Sequence, residues 1–240
     1  MEIRDGFIVG IYNYCDAWCD RCAFTSYCRL FADNCETEAK FDSNLVPVAA
    51  APEHPSDTPP PPRWLRELLE EMDAAAESPP ADDGWARRQR RDVPERDAID
   101  RRADEYCRRV RAWLQDHEAQ TSRDANDPTD VIGWFHMMIH VKAMRALYGL
   151  AEEDPADRGW PADHDGSAKV ALIGIDRSQT AWLDLVDVGL ASPEEVAPFV
   201  DALIWLRAAL ERTFPKARSF VRAAFDEPDE VARLLRGADC

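Results

Sequence analysis

A chain of 240 residues with 45% hydrophobic side chains has enough apolar material for a real core, as one large domain or as a small module beside a medium one. Its formal charge of −17 opposes approach to nucleic acid and to anionic membrane surfaces. No segment reaches the roughly 20 apolar residues that a spanning helix needs, and "MEIRDGFIVGIYNYC" carries neither a basic leader nor a small-residue cleavage site. The expected location is therefore the cytoplasm, where stable disulfides are rare; an odd total of seven cysteines agrees with that.

Residues 1–44 read as a Cys-rich metal or cluster module. "YCDAWCDRCAFTSYC", residues 14–28, holds Cys15, Cys19, Cys22 and Cys28 in a C-x3-C-x2-C-x5-C spacing, and Cys35 follows seven residues later. Thiolates this close in sequence converge only if the chain wraps around something. A 4Fe–4S cubane offers four iron corners to one loop, and ferredoxin-type loops are similarly compact. Structural zinc usually takes two pairs separated by a dozen or more residues. No second pair is present, because Cys107 and Cys240 are far away. The spacing thus favours an iron–sulfur cluster, with Zn2+ as the alternative cofactor. A third reading makes Cys15, Cys19 and Cys22 small apolar residues at i, i+4 and i+7 of one helix face. Asp16, Asp20 and Arg21 make the segment too polar for that, and Cys28 is left without a role. Trp18, Phe24 and Tyr27 lie between the thiols, placed to pack around a cluster and limit water, or to form a miniature core that fixes the loop. Cys35, in "FADNCETEAKFDSN", is a weaker candidate ligand or a plain residue.

Two short resemblances accompany this spacing. Cys15, Cys19 and Cys22 resemble the CxxxCxxC of radical SAM enzymes. Cys19, Cys22 and Cys28 are similar to the CxxCx5C end of the cluster loop in helix–hairpin–helix DNA glycosylases. Each covers fewer than fifteen residues and implies a cluster-ligand geometry, without either family's activity.

Residues 45–62, "LVPVAAAPEHPSDTPPPP", predict an extended Pro-rich spacer. From 63 to 240 helix formers dominate. "PRWLRELLEEMDAAAES" (62–78) has an amphipathic stripe through Trp64, Leu65, Leu68, Leu69 and Met72. Residues 85–111 carry ten arginines against six acids, which reads as a solvated helix face with Arg–acid pairs, or as a phosphate-binding patch. Further helices are predicted from Pro94 to Ala119, from Pro128 to Tyr148 with a stop at Gly149, and from Gly166 to Val188 with a stop at Gly189. "SPEEV" opens another, with Ser192 as cap, Pro193 in the first position and Glu195 completing a capping box, running to Phe214. "PDEVARLLRG" makes a short last helix. Four long helices with short connections predict an all-α, antiparallel helical bundle carrying the small Cys-rich module.

Polar residues interrupt two apolar helices. In "DVIGWFHMMIHVKAMRAL", His136 and His140 sit one turn apart, a spacing that can chelate one metal; the Glu-x-x-His partners of bundle metal sites are missing. Lys142 and Arg145 follow, and Lys169 and Asp176 share a face of the next helix at i, i+7. Those four could line a polar pocket for an anionic small molecule, or form an internal ion-pair network that fixes helix register. No nucleophile elbow, Walker loop or GxGxxG is present. The leading expectation is a 4Fe–4S protein with a redox, sensing or regulatory role and a redox or protein partner. The alternatives are a zinc-stabilised interaction protein and a metal-dependent enzyme built on the His pair. Whether the chain is an enzyme stays open.

Overall fold

Helices account for most of the regular structure in a computed structural model that describes residues 2–43, 95–117, 127–152 and 163–227, with isolated positions at 63, 66, 93, 229 and 231. In chain order the elements are β1 (Ile3–Arg4), β2 (Phe7–Ile8), α1 (Arg29–Ser43), α2 (Arg96–Asp116), α3 (Pro128–Glu152), α4 (Asp163–Asp187) and α5 (Pro193–Thr213). The Pro-rich spacer at 45–62, the helix expected at 62–78 and the short last helix lie outside the described residues, apart from Arg63, Arg66, Asp229 and Val231. Among the described residues no helix is long and apolar enough to cross a membrane.

By contacts the chain divides into Met1–Asp33 with Arg91–Cys240, and Asn34–Arg90. The Cys-rich segment up to Asp33 thus falls in the same unit as α2–α5. In the second unit the described side chains from Asn34 to Ala39 are exposed.

Within the first unit, α3 and α4 pack most extensively on each other, and α2 and α5 complete the core. Spacing explains which faces meet. Ile99, Ala103, Tyr106, Val110 and Trp113 recur at helical intervals along α2, as do Val196, Phe199, Leu203, Leu206 and Leu210 along α5, and all are buried. α4 is buried on nearly every side from Asp165 to Ile175, and it uses small residues where neighbours come close. A Cβ at Gly174 would lie only 3.0 Å from Phe135 Cδ1 and 3.1 Å from Ile139 Cγ1. The core centres on Trp182, which stacks on Phe199 at 4.2 Å, meets Trp113 edge-on at 4.9 Å and donates from Nε1 to the Tyr106 hydroxyl at 3.2 Å. Burial pushes the Tyr106 phenol up to about 12, so it stays a neutral partner.

Helix ends follow the capping chemistry. The Ser192 hydroxyl accepts from the Glu195 N–H at 3.2 Å, and the Glu195 carboxylate reaches back to the Ser192 N–H at 3.5 Å. The same carboxylate accepts from Trp113 Nε1 at 2.5 Å, tying the start of α5 to α2. Past α4, Gly189 takes φ +74°, and the N–H groups of Leu190 and Gly189 donate to Leu185 and Val186 carbonyls at 2.9 and 3.0 Å. Gly149 does not stop α3, which runs on to Glu152. It lies beside α4, where a Cβ on it would come 3.4 Å from His164 Cβ.

Candidate metal centre

The Cys-rich segment starts with a hairpin that the alternation of apolar residues does not announce, since its strands have two residues each. Asp5 and Gly6, both at positive φ, form the two-residue turn that pairs Arg4 with Phe7 and Ile3 with Ile8. Ile8 and Ile11 are then buried in a small second core with Ala224, flanked by Phe24, Tyr27 and Phe225. The chain so anchored passes through two short 3-10 turns, Cys19–Arg21 and Thr25–Tyr27, before entering α1.

Residues 14–21 are fastened to α3 and α4. Trp18 stacks on Trp134 at 5.1 Å and meets Phe135 edge-on at 5.8 Å. Trp134 Nε1 donates to the Asp16 carbonyl at 2.9 Å, and Arg177 donates to the Asp16 carboxylate at 3.0 Å. Arg21 pairs with Asp130 at 2.7 Å, largely shielded from water on both sides. Tyr14 donates to Asp163 at 3.0 Å, and its ring meets Phe220 edge-on at 4.7 Å. Burial and the Asp163 carboxylate push this phenol up to about 12.

The four clustered thiols converge. Cys15, Cys19, Cys22 and Cys28 line one small cavity, together with Ile11, Trp18 and Phe225. Backbone N–H groups point at two of the sulfurs, each from two residues on. The Phe24 N–H donates to Cys22 Sγ at 3.4 Å, and the Ala17 N–H bonds Cys15. Ala17 adopts φ +54°, a left-handed conformation that a non-glycine residue rarely takes. Burial raises the Cys15 and Cys19 thiols; for Cys15 the Ala17 N–H and then Lys142 oppose it, whereas for Cys19 the other three thiols add to it. Among the described residues, no three His, Cys, Asp or Glu side chains are gathered tightly enough to grip a single ion. Four thiols thus line one small cavity, with a backbone N–H donated to at least one of the sulfurs.

The other sequence candidates disperse. Cys35 is exposed on α1, Cys107 is buried on α2, and Cys240 lies outside the described residues. His136 Nδ1 lies 2.6 Å from the Gly133 carbonyl, and burial lowers its pKa, whereas His140 Nε2 faces Asp100 at 2.9 Å. The pair is thus divided between two separate partners. Lys169 bonds Asp226 at 2.7 Å and the Phe220 carbonyl, not Asp176. Asp176 faces Arg218 at 2.6 Å, and Arg145 faces Asp163 at 3.3 Å. Lys142 is nine-tenths buried on α3.

Sequence reasoning did not anticipate a second cavity of about 770 Å³ beside the first, a size typical of ligand pockets. It shares Asp16, Trp18, Cys22 and Phe225 with the thiol cavity. Arg21, Arg177 and Arg222 line it, each held over an aromatic ring: Trp18 at 4.0 Å, Phe135 at 5.5 Å and Phe225 at 5.1 Å. Alternating Arg and aromatic residues scattered over 200 positions leave no local pattern to read.

Gly166 supports the thiol loop from below. A Cβ there would lie 2.4 Å from two Tyr14 ring carbons and 2.9 Å from Phe220 Cζ. Gly166→Ala is therefore expected to destabilise the protein by about 1–3 kcal/mol, because overpacking forces both rings aside. Chemical denaturation measures it, and an unchanged midpoint would show that Tyr14 yields freely.

No protein family, curated protein or solved structure matches this chain.

Proposed function

We propose that this is an iron–sulfur protein, an antiparallel helical bundle whose Cys15, Cys19, Cys22 and Cys28 hold a 4Fe–4S cluster in a redox, sensing or cluster-dependent regulatory role. The observation that carries the reading is the convergence of all four thiols on one cavity. Their compact spacing within one short segment suits a group with separate iron corners; structural zinc usually takes two pairs set a dozen or more residues apart. Such a cluster, when bound, supplies reversible one-electron chemistry.

The chain's own residues then do identifiable work. Phe24 and Ala17 donate backbone hydrogen bonds to Cys22 and Cys15, which favours the thiolate forms. Trp18 and Phe225 line both the thiol cavity and the larger one, as does Cys22. That cavity brings Cys22 within reach of a small molecule or a redox partner's side chain. The thiols require a reducing compartment, so the proposed location is the cytoplasm.

Anaerobic reconstitution of wild type and Cys22→Ser with ferrous iron and sulfide, followed by metal and sulfide analysis, tests the proposal. About four irons per chain with broad visible absorbance are expected in wild type, with a sharp fall in the variant. One zinc per chain in the purified protein, unmoved by reconstitution, would replace the cluster by a structural zinc site. Neither metal in wild type ends both readings.

A further inference from the structure

Within the described part of the arginine-rich run at 85–111, the arginines divide into two kinds. Arg108 pairs with Asp104 at 2.9 Å, the exposed i, i+4 ion pair that helical spacing predicts. Glu105 and Arg109 share that spacing and form no such pair; Arg109 instead lies over the Phe199 ring at 5.1 Å. Two turns earlier on α2, Arg102 lies over Trp205 at 5.5 Å. Its Nε is sealed from water and has no hydrogen-bond partner. A guanidinium edge that loses its hydration without gaining an acceptor is costly, and negative charge nearby offsets that cost.

Both arginines line one cavity of about 220 Å³ between α2 and α5. Their two ring contacts run in opposite chain directions, so in register Glu105 on α2 and Asp201 on α5 fall between them. Both acids line the cavity and, among the described residues, neither forms an ion pair. The buried part of the lining is Tyr106, Phe199 and Ala202, and the small Ala202 leaves room that a longer side chain would fill. The volume falls below the roughly 300–1,000 Å³ of pockets for drug-sized ligands, so the occupant is small. Charge sets its class. A phosphate would meet two carboxylates and a plain amine two guanidiniums, whereas a zwitterion meets an opposite charge for each of its own.

We infer that this cavity is a binding site for a free amino acid, its carboxylate taken by the arginines and its ammonium by Glu105 and Asp201. The side chain of the ligand lies against Tyr106, Phe199 and Ala202. The inference is independent of the reading of the thiols, since no cysteine lines this cavity.

Isothermal titration calorimetry of the full-length protein with each of the twenty standard amino acids tests it. At least one should bind at one site per chain with a Kd at or below about 1 mM. Its deaminated acid, its decarboxylated amine and inorganic phosphate should each bind at least about tenfold more weakly. Arg102→Met and Glu105→Gln should each weaken the amino acid at least about tenfold. Glu105 is exposed and unpaired, so Glu105→Gln should melt within a few degrees of wild type and keeps the test decisive even if Arg102→Met fails to fold. No heat from any amino acid at about 10 mM would overturn the inference and leave the cavity to water. So would phosphate or the deaminated acid binding as tightly as the amino acid, or wild-type affinity in Glu105→Gln.

Discussion

Asp226→Ala is expected to lower the melting temperature by roughly 6–20 °C, and Asp176→Ala to leave it within a few degrees of wild type. Both acids contact cations near the C-terminal segment, and burial separates them. The Asp226 carboxylate accepts from Lys169 at 2.7 Å, from Arg222 Nη2 at 2.9 Å and from the Arg222 backbone N–H at 2.9 Å. Its side chain is 22% exposed, and both cations are 14% exposed. Removing it strands two largely buried charges, a loss of about 3–5 kcal/mol. Asp176 and its partner Arg218 are each about two-fifths exposed, so water screens the pair and its loss costs at most about 1 kcal/mol.

The same contacts give a pH dependence of definite sign. Burial alone would raise the Asp226 carboxyl, but hydrogen bonds from Arg222 and Lys169 outweigh it and hold the acid well below the usual carboxylate range. A depressed folded-state pKa contributes stability that is complete above the unfolded value of 3.8 and is lost as pH falls beneath it. Melts between about pH 5 and 2 should therefore show wild type losing stability faster than Asp226→Asn. Parallel curves would mean that the carboxylate is not held in its charged form by these contacts.

Features encoded over a few residues were legible in advance; those made by distant segments were not. The capping box at Ser192 and the left-handed cap at Gly189 are local chemistry, and both ends stand where the sequence puts them. The convergence of the thiols was legible for the same reason, since Cys15 to Cys28 span so little chain. The Asp5–Gly6 turn was equally local, but its strands are too short to show alternation. α1 escaped notice because its exposed polar side chains carry no apolar stripe. Lys169 and Asp176 share a helix face, which suggested a mutual pair or a pocket. Their partners arrive from residues 218–226, and helical periodicity says nothing of a segment folding back onto α4.

Two tryptophans should separate the stability of the helical core from the integrity of the thiol site. Trp182 is fully buried among Phe199, Trp113 and Tyr106, and it lines neither the thiol cavity nor the larger one. Trp182→Ala should cost about 3–5 kcal/mol through lost contacts and the cavity left behind. Metal content per folded chain should nevertheless stay at the wild-type level, because that ring lines neither cavity. Trp18 is only partly buried, and it borders both the thiol cavity and the larger one, with Trp134 stacked behind it and Arg21 over its face. Trp18→Ala should cost less stability, about 1–3 kcal/mol, yet open the thiols to water and release the loop that spaces Cys15 from Cys19. Iron or zinc retention should then fall at least about tenfold, and Trp18→Phe should restore part of it by keeping a ring against Trp134. Denaturant midpoints with metal analysis of the folded fraction measure both quantities. If metal content tracks stability equally in the two alanine variants, Trp18 acts through the core alone, and the loop is not positioned by its stacking on Trp134.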